Sequence, residues 1–427
     1  MKGIAITSAT TEQPSSLNIR ELCIESVGAQ GDGVTGDHVF VPLTLPGERV
    51  RADVRGERAE MVEVLEASPD RVAPACPHFG DCGGCALQHW ASDPYLVWKA
   101  EQIRLALGRE RIETEILPAF AAPPGARRRL ALHARRDGGA VRLGFKARRT
   151  WRLVEIKVCP ISEPALVAAL PALKALAGPF LEHAKSAPTL HVTWTLSGLD
   201  VDVTGIERKS GGLSADARMR AAKAAAAGDM ARVTLAGETI YQARQPVVRL
   251  GPATVALPPG SFLQAVAQAE AAMADFAVDA IAGATRVADL YCGVGAFTFR
   301  LARTASVHAA DVSAPAVKAL IAATGTASGL KPIVAEARDL GRRPLLAMEM
   351  KKLDAVVFDP PRAGALEQSG EIGRSKVGTV VGISCNPTTF ARDARILVDA
   401  GFKLEAVKPI DQFLWSPHVE LVGVFRR

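Results

Sequence analysis

Cys385 stands in Ser384-Cys385-Asn386-Pro387, directly after an apolar run from Val377 through Ile383. That run has the pattern of a buried strand, and an Asn-Pro pair that cannot extend it marks a strand-to-loop switch. The thiol then stands at the carboxyl edge of a sheet, where open α/β sheets collect ligands. A lone cysteine is most simply a buried structural group, but beside a base or in positive surroundings its thiolate is a covalent nucleophile. A second set of thiols lies upstream, with Cys76, Cys82 and Cys85 spaced C-x5-C-x2-C and Cys159 far downstream. Four thiolates suit tetrahedral zinc or an iron-sulfur cluster, and the spacing does not separate the two. Gly83 and Gly84 let the backbone fold tightly enough to aim N–H groups at sulfur.

A third group surrounds Asp289-Leu290-Tyr291-Cys292-Gly293-Val294-Gly295. The strand Arg286 to Leu290 runs into Gly293 and Gly295, and a helix is expected from Phe297. A second strand, Ser306 to Ala310, ends in Asp311, where a carboxylate accepts from ribose hydroxyls. Asp339 and then Asp359, in Asp359-Pro360-Pro361-Arg362, end two further segments. There is no third glycine at dinucleotide spacing and no GK[ST] for a pyrophosphate, so NAD and ATP fit poorly. An adenosyl cofactor without pyrophosphate fits better, which points to S-adenosylmethionine.

The elements that must position these groups follow from the whole chain. At 427 residues, two or three domains are expected. With 48% apolar and 22% charged residues the composition is that of a soluble globular protein. No apolar run reaches the roughly 18 residues of a membrane span, and the first residues lack the apolar core of a signal peptide. The expectation is a cytoplasmic protein with no membrane partner, acting as a monomer, whose seven cysteines are not disulfides. A net charge of +6 favours an anionic partner.

Residues 1–16 are polar and read as a flexible tail. Residues 17–73 carry short strands and turns, the pattern of a five-stranded oligonucleotide-binding (OB-like) barrel. Residues 74–258 form a central α+β domain holding the four cysteines, a helix over Asp93 to Gly108, and hairpins turning at Asp137-Gly138-Gly139 and spanning Leu190 to Val203. Between Arg127 and Arg152 ten Lys or Arg stand against one acid, Asp137. On a hairpin these charges fan across one face and suit RNA phosphates. Residues 259–427 alternate strand and helix as a Rossmann-like domain does, so the fold class is multi-domain α/β.

These motifs together resemble the bacterial RNA uracil-5-methyltransferases. The matching stretches are D-L-Y-C-G-V-G at 289, D-P-P-R-A-G at 359, S-C-N-P at 384, H-V-E at 418, P-G-E at 46, S-P-D-R at 68 and the four-cysteine set. The resemblance covers nearly the whole chain. It implies a TRAM-type barrel, a [4Fe-4S] cluster on Cys76, Cys82, Cys85 and Cys159, and a C-terminal methyltransferase domain. It implies that Gln264, Tyr291, Gly293, Gly295, Asp311, Asp339 and Asp359 line the S-adenosylmethionine site, with Cys385 as nucleophile and Glu420 as base. Family members with a cluster mostly modify 23S ribosomal RNA, whereas the bacterial tRNA enzyme lacks barrel and cluster, so 23S rRNA or a precursor is the expected partner. Two positions depart from the family pattern: Ala296 stands where Asn often follows the loop, and Asp311 where Glu is common.

The chemistry accounts for these residue types. Uracil C5 becomes nucleophilic once a thiolate adds at C6, and a carboxylate must then remove the C5 proton so that the thiolate leaves. Reaching C6 requires the base to leave its stack; Phe262 is either a face for it or a core-packing residue. The alternatives are 5-methyluridine formation in tRNA, a cytosine-5 RNA methyltransferase, whose cysteine typically follows Thr, and a non-enzymatic RNA-binding assembly factor.

Overall fold

The computed structural model describes residues 17–207 and 212–427, so the expected tail, 1–16, lies outside the described residues. Two compact units result, one up to Val72 and one from Ala73 to Arg427. The first is a six-stranded sheet in the order Ile19–Cys23, Arg49–Arg55, Arg58–Glu66, Phe40–Pro42, Asp32–Val34, Ser26–Val27. Six strands form where five were anticipated. Alternate residues such as Leu22, Val41, Val50, Ala52 and Val54 fill its core.

In the second unit a nine-stranded sheet carries the chemistry. Its order is Ile333–Ala337, Ser306–Asp311, Arg286–Leu290, Ala355–Phe358, Thr379–Ser384, Glu420–Arg426, Lys403–Asp411 and Glu115–Ile116, with Phe120–Ala121 also pairing the penultimate strand. The first five strands are parallel, and Glu420–Arg426 is antiparallel to both neighbours. The two central strands, Arg286–Leu290 and Ala355–Phe358, are buried at every position but Arg286, as strands of a parallel sheet covered on both faces are. Strand order reverses between them, which opens the crevice in which such sheets bind ligands.

A seven-stranded sheet completes this unit, in the order Leu153–Glu155, Ala140–Lys146, Arg129–Asp137, Thr189–Thr195, Gly198–Thr204, Arg232–Leu235, Glu238–Gln242. Leu130, Leu132 and Ala134 point to one face, where helices Leu170–Ala177 and Ala215–Ala227 cover them. Both expected hairpins are present, and Gly138 and Gly139 take positive φ at the first turn. Helix Ser92–Arg109 matches the expected Asp93 to Gly108 and packs on helix Pro387–Asp399. Among the described residues no helix is long and apolar enough to cross a membrane.

Candidate active site

Asn386-Pro387 ends the strand as expected, but it opens a helix rather than a loop. The Asn386 side chain accepts from the Thr388 N–H at 3.1 Å, and Pro387 takes the first helical position of Pro387–Asp399. This is N-cap and N1 chemistry, and it fixes the backbone on which Cys385 sits. Asn386 Nδ2 and Thr389 Oγ1 both donate to the Arg362 carbonyl at 3.2 Å, tying the Asp359-Pro360-Pro361-Arg362 loop beside the thiol.

The antiparallel ladder pairs Ile383 with Val422 and Ser384 with Leu421. Cys385 and Glu420 are the next residues along the two chains, just past the last pair. Burial pushes the Cys385 thiol up to about 11, the Glu420 and Asp359 carboxyls add to the shift, and the Arg362 guanidinium opposes it. Glu420 is buried, and burial together with the Asp359 charge raises its carboxyl well above the usual range. Asp359 is raised by burial too, while the Gln264 amide opposes the shift.

Two buried glutamines join these carboxyls. Gln264 Nε2 donates to Asp359 Oδ2 at 2.9 Å. Gln412 Nε2 donates to Gln264 Oε1 at 2.7 Å and to Glu420 Oε2 at 2.6 Å, and Gln412 Oε1 accepts from the Ala265 N–H at 3.1 Å. Both donor hydrogens and the acceptor of Gln412 are therefore engaged, so its amide orientation and the Glu420 carboxyl are fixed together. Gln412 has no place among the residues expected from sequence; a polar pair, Asp411-Gln412, closing the buried end of a strand was the available signal.

Loop 412–419 leads into Glu420 and is itself pinned. Buried Lys99 donates to Asp411 Oδ1, to the Phe413 carbonyl at 3.2 Å and to the His418 carbonyl at 2.6 Å. The Trp415 N–H donates to Tyr95 Oη at 2.8 Å, and the Trp415 carbonyl accepts from the Ala86 and Leu87 N–H groups at 2.8 and 3.0 Å. Lys99→Met leaves the Asp411 carboxylate buried without its cation. It is expected to destabilise the protein by about 3–5 kcal/mol, with Lys99→Met/Asp411→Leu recovering most of the loss, as read from urea unfolding. An unchanged midpoint in the single variant would show that the pair does not hold the loop.

The cofactor-side residues gather at the carboxyl ends of the parallel strands. Asp311 Oδ2 accepts from the Gly293 N–H at 2.9 Å and Oδ1 from the Ser313 N–H at 2.7 Å, so the acid expected at a ribose also pins the glycine loop. Each oxygen keeps a second lone pair. Tyr291 has φ +62° and Gly293 φ +53°, and a Cβ built on Gly293 meets nothing within 4 Å, so the loop presents open space. Tyr291 is raised to about 12 by burial, with the Asp393 and Asp339 carboxyls adding, which sets Asp339 on the same side. Gly295, at φ +100°, has no room for a Cβ because Phe299 stands 2.5 Å from its place. Asp289 is fully buried and raised to about 7 by burial, with Asp359 and Asp311 contributing. Its Oδ2 accepts from Thr298 Oγ1, and its Oδ1 has no hydrogen-bond partner.

Cys76, Cys82, Cys85 and Cys159 line one cavity of about 320 Å³, shared with His78, Arg127, Phe413, Ser416 and His418. Burial pushes Cys85 up to about 12, with the Gln88 hydrogen bond opposing and the other three sulfurs adding. The Gly84 N–H donates to Cys82 Sγ at 3.4 Å. No three His, Cys, Asp or Glu side chains among the described residues are grouped closely enough to hold a single metal ion. Gly83 has its own reason: a Cβ there would stand 2.8 Å from the Lys146 carbonyl that its N–H binds.

The first three cations of the basic run turn inward, against expectation. Arg128 is buried, donating to the Gln264 carbonyl at 3.1 Å and to Glu270 at 2.7 Å, and Arg129 donates to the Leu263 carbonyl at 2.5 Å. They clamp the segment that carries Gln264. Charge count alone does not reveal which face of a strand a cation occupies.

This sheet order, with a glycine loop at the switch point and carboxyls on the same edge, defines a Rossmann-type methyltransferase. Residues 254–427 match the tRNA (uracil-5-)-methyltransferase family profile. An uncharacterised RNA methyltransferase of Caulobacter vibrioides is 68% identical over 96% of this chain and 100% of its own length. The 23S rRNA (uracil(1939)-C(5))-methyltransferase RlmD of Halomonas elongata is 36% identical over 94% of this chain and 88% of its own. The fold matches the Pyrococcus abyssi tRNA (uracil-54, C5)-methyltransferase, crystallised with S-adenosyl-L-homocysteine, with a TM-score of 0.71 at 24% identity, over 95% of this chain and 99% of that one. The chain belongs to the family of S-adenosylmethionine-dependent RNA uracil-5-methyltransferases.

Proposed function

We propose that the protein methylates C5 of one uridine in 23S ribosomal RNA or its precursor, with Cys385 as nucleophile and Glu420 as base. The observation that carries this reading is that Cys385 and Glu420 directly follow and precede the last ladder pair, Ser384 with Leu421, near enough for the Glu420 charge to raise the Cys385 thiol. The two groups then reach one pyrimidine ring, the thiolate adding at C6 and the carboxylate taking the proton from C5. Gln412 and Gln264 hold Glu420 and Asp359 in place while this happens. A raised carboxyl pKa suits Glu420 to a base that must work near neutral pH.

S-adenosylmethionine, when bound, supplies an electrophilic methyl group on a sulfonium. The residues fit it: Asp289, Asp311 and Asp359 form an anionic surround for a cation, Asp289 keeps a buried oxygen without a partner, and the space at Gly293 is open. Tyr291, Gly293, Gly295, Asp311, Asp339 and Asp359 would hold it. Cys76, Cys82, Cys85 and Cys159 line one cavity and their charges act on one another, as the thiols of a [4Fe-4S] site would, with zinc the alternative. The N-terminal sheet is read as a TRAM-type RNA-binding barrel, and the enzyme as a cytoplasmic monomer.

The RlmD relative supports ribosomal RNA over tRNA. Mass spectrometry of 23S rRNA and tRNA from cells with and without the gene should show one 5-methyluridine lost from 23S rRNA and restored by the intact gene. Loss from tRNA alone would overturn the ribosomal assignment, and loss of 5-methylcytidine would overturn the uracil chemistry.

A further inference from the structure

The seven-stranded sheet is covered by helices on one face only, and the other face carries Arg135, Arg142 and Lys146. Alternation along Arg129–Asp137 sends Leu130, Leu132 and Ala134 to the core, so His133 and Arg135 occupy the opposite face, with Arg129 held at its edge by the Leu263 carbonyl. Cross-strand register sets Arg142 against Arg135 and Gly144 against His133, which places Lys146 on that same face. Lys146 also depresses the His133 pKa, after burial, consistent with its place there. His191 stands on the neighbouring strand opposite Ala131. The acids of the sheet are occupied: Asp137 by Arg142 at 2.9 Å, Asp200 by Arg232 at 2.7 Å, and Asp202 by Thr234 at 2.5 Å.

Two exposed aromatic rings stand beside these cations. Phe262, 69% exposed and two residues from Gln264, lies under Arg129, whose Cζ is 5.3 Å from the ring centroid. Trp151 is 71% exposed, with Lys146 Nζ 3.8 Å from its centroid. The turn that carries Trp151 is held in shape: the Ala147 N–H donates to the Arg152 carbonyl, the Gly83 N–H to the Lys146 carbonyl, and Arg152 pairs with Asp81 at 3.1 Å. A fixed, exposed indole capped on one face by an ammonium has no packing role. Phosphates complement the cations, and an unpaired base complements the ring.

We infer that this helix-free face is a track for single-stranded RNA leading to the active site, and that Trp151 is a stacking platform for one unpaired base beside Lys146. The inference rests on the RNA-modifying function proposed above and adds where and how the strand is held. A duplex cannot use the platform, because its bases are already stacked. Binding of a fluorescent uridine-rich single strand to the full-length protein tests it. Trp151→Ala should weaken binding by about 5- to 100-fold, and Trp151→Phe should keep most of the affinity. S-adenosylmethionine affinity and the thermal midpoint should stay unchanged, and a fully paired duplex should bind both variants as it binds the wild type. If Trp151→Ala binds the single strand as the wild type does while the wild type still methylates RNA, the platform is overturned and the function stands. If Trp151→Phe is as weak as Trp151→Ala, stacking is overturned. A wild-type protein that binds no RNA overturns both.

Discussion

Glu420→Gln incubated with substrate RNA and S-adenosylmethionine should accumulate a covalent protein–RNA complex that already carries the new methyl group. In the proposed order, Cys385 adds to C6, C5 is methylated, and only then does Glu420 take the C5 proton so that the thiolate can leave. Glutamine keeps the shape of Glu420 and one acceptor but cannot take that proton, so turnover should fall by about 10²- to 10⁴-fold with the adduct trapped. Cys385→Ala should give neither adduct nor product, a loss on the order of 10⁴-fold or more, and the double variant should match it because the two residues act in series. The pH profile offers a second reading. The Cys385 thiol is raised to about 11, so its thiolate fraction, and with it the rate of adduct formation, should climb about tenfold per pH unit through the neutral range. Glu420→Gln turning over normally, with no trapped species on a denaturing gel, would remove Glu420 from the mechanism.

Anaerobically purified protein should be brown, with broad absorption near ~400 nm, and Cys82→Ser should lose both the colour and most of the iron. Stoichiometric zinc without iron or sulfide would overturn the cluster reading. The loss should also reach the site of chemistry, because Phe413, Ser416 and His418 wall the cavity and belong to the loop that ends at Glu420. Cys82→Ser is therefore expected to lower the unfolding midpoint, a measurement independent of catalysis.

The Rossmann edge was legible because each of its signals is local: a strand, a loop and an acid within a few residues, as in Asp289 to Gly295 or Asp359 to Arg362. Glu420 was legible as a charge inside an apolar strand. What escaped was long-range. Lys99 and Asp411 are 312 residues apart in sequence, and no periodicity in helix Ser92–Arg109 marks a lysine that points inward to meet them. Gln412 escaped for the same reason, since its partners Gln264 and Glu420 come from different strands and loops. Arg127 to Arg129 were misread as solvent-facing because counting charges assigns no direction to side chains. The Asn386-Pro387 step was misread although its signal was present, since Asn followed by Pro is as good a helix start as a strand stop.

The ladder that ends with Ser384 opposite Leu421, beside Cys385 and Glu420, also bears on how the chain tolerates insertions and deletions. The two residues meet through strand register, so the length of what lies between them is free to drift at the turn Ala400–Phe402, which joins helix Pro387–Asp399 to strand Lys403–Asp411. Within the strands there is no such freedom. One residue added before Ser384 or after Leu421 shifts the pairing by one and turns one of the two groups to the opposite face of the sheet. Length variation among related chains should therefore collect at that turn and be absent from the strand ends that meet at the thiol.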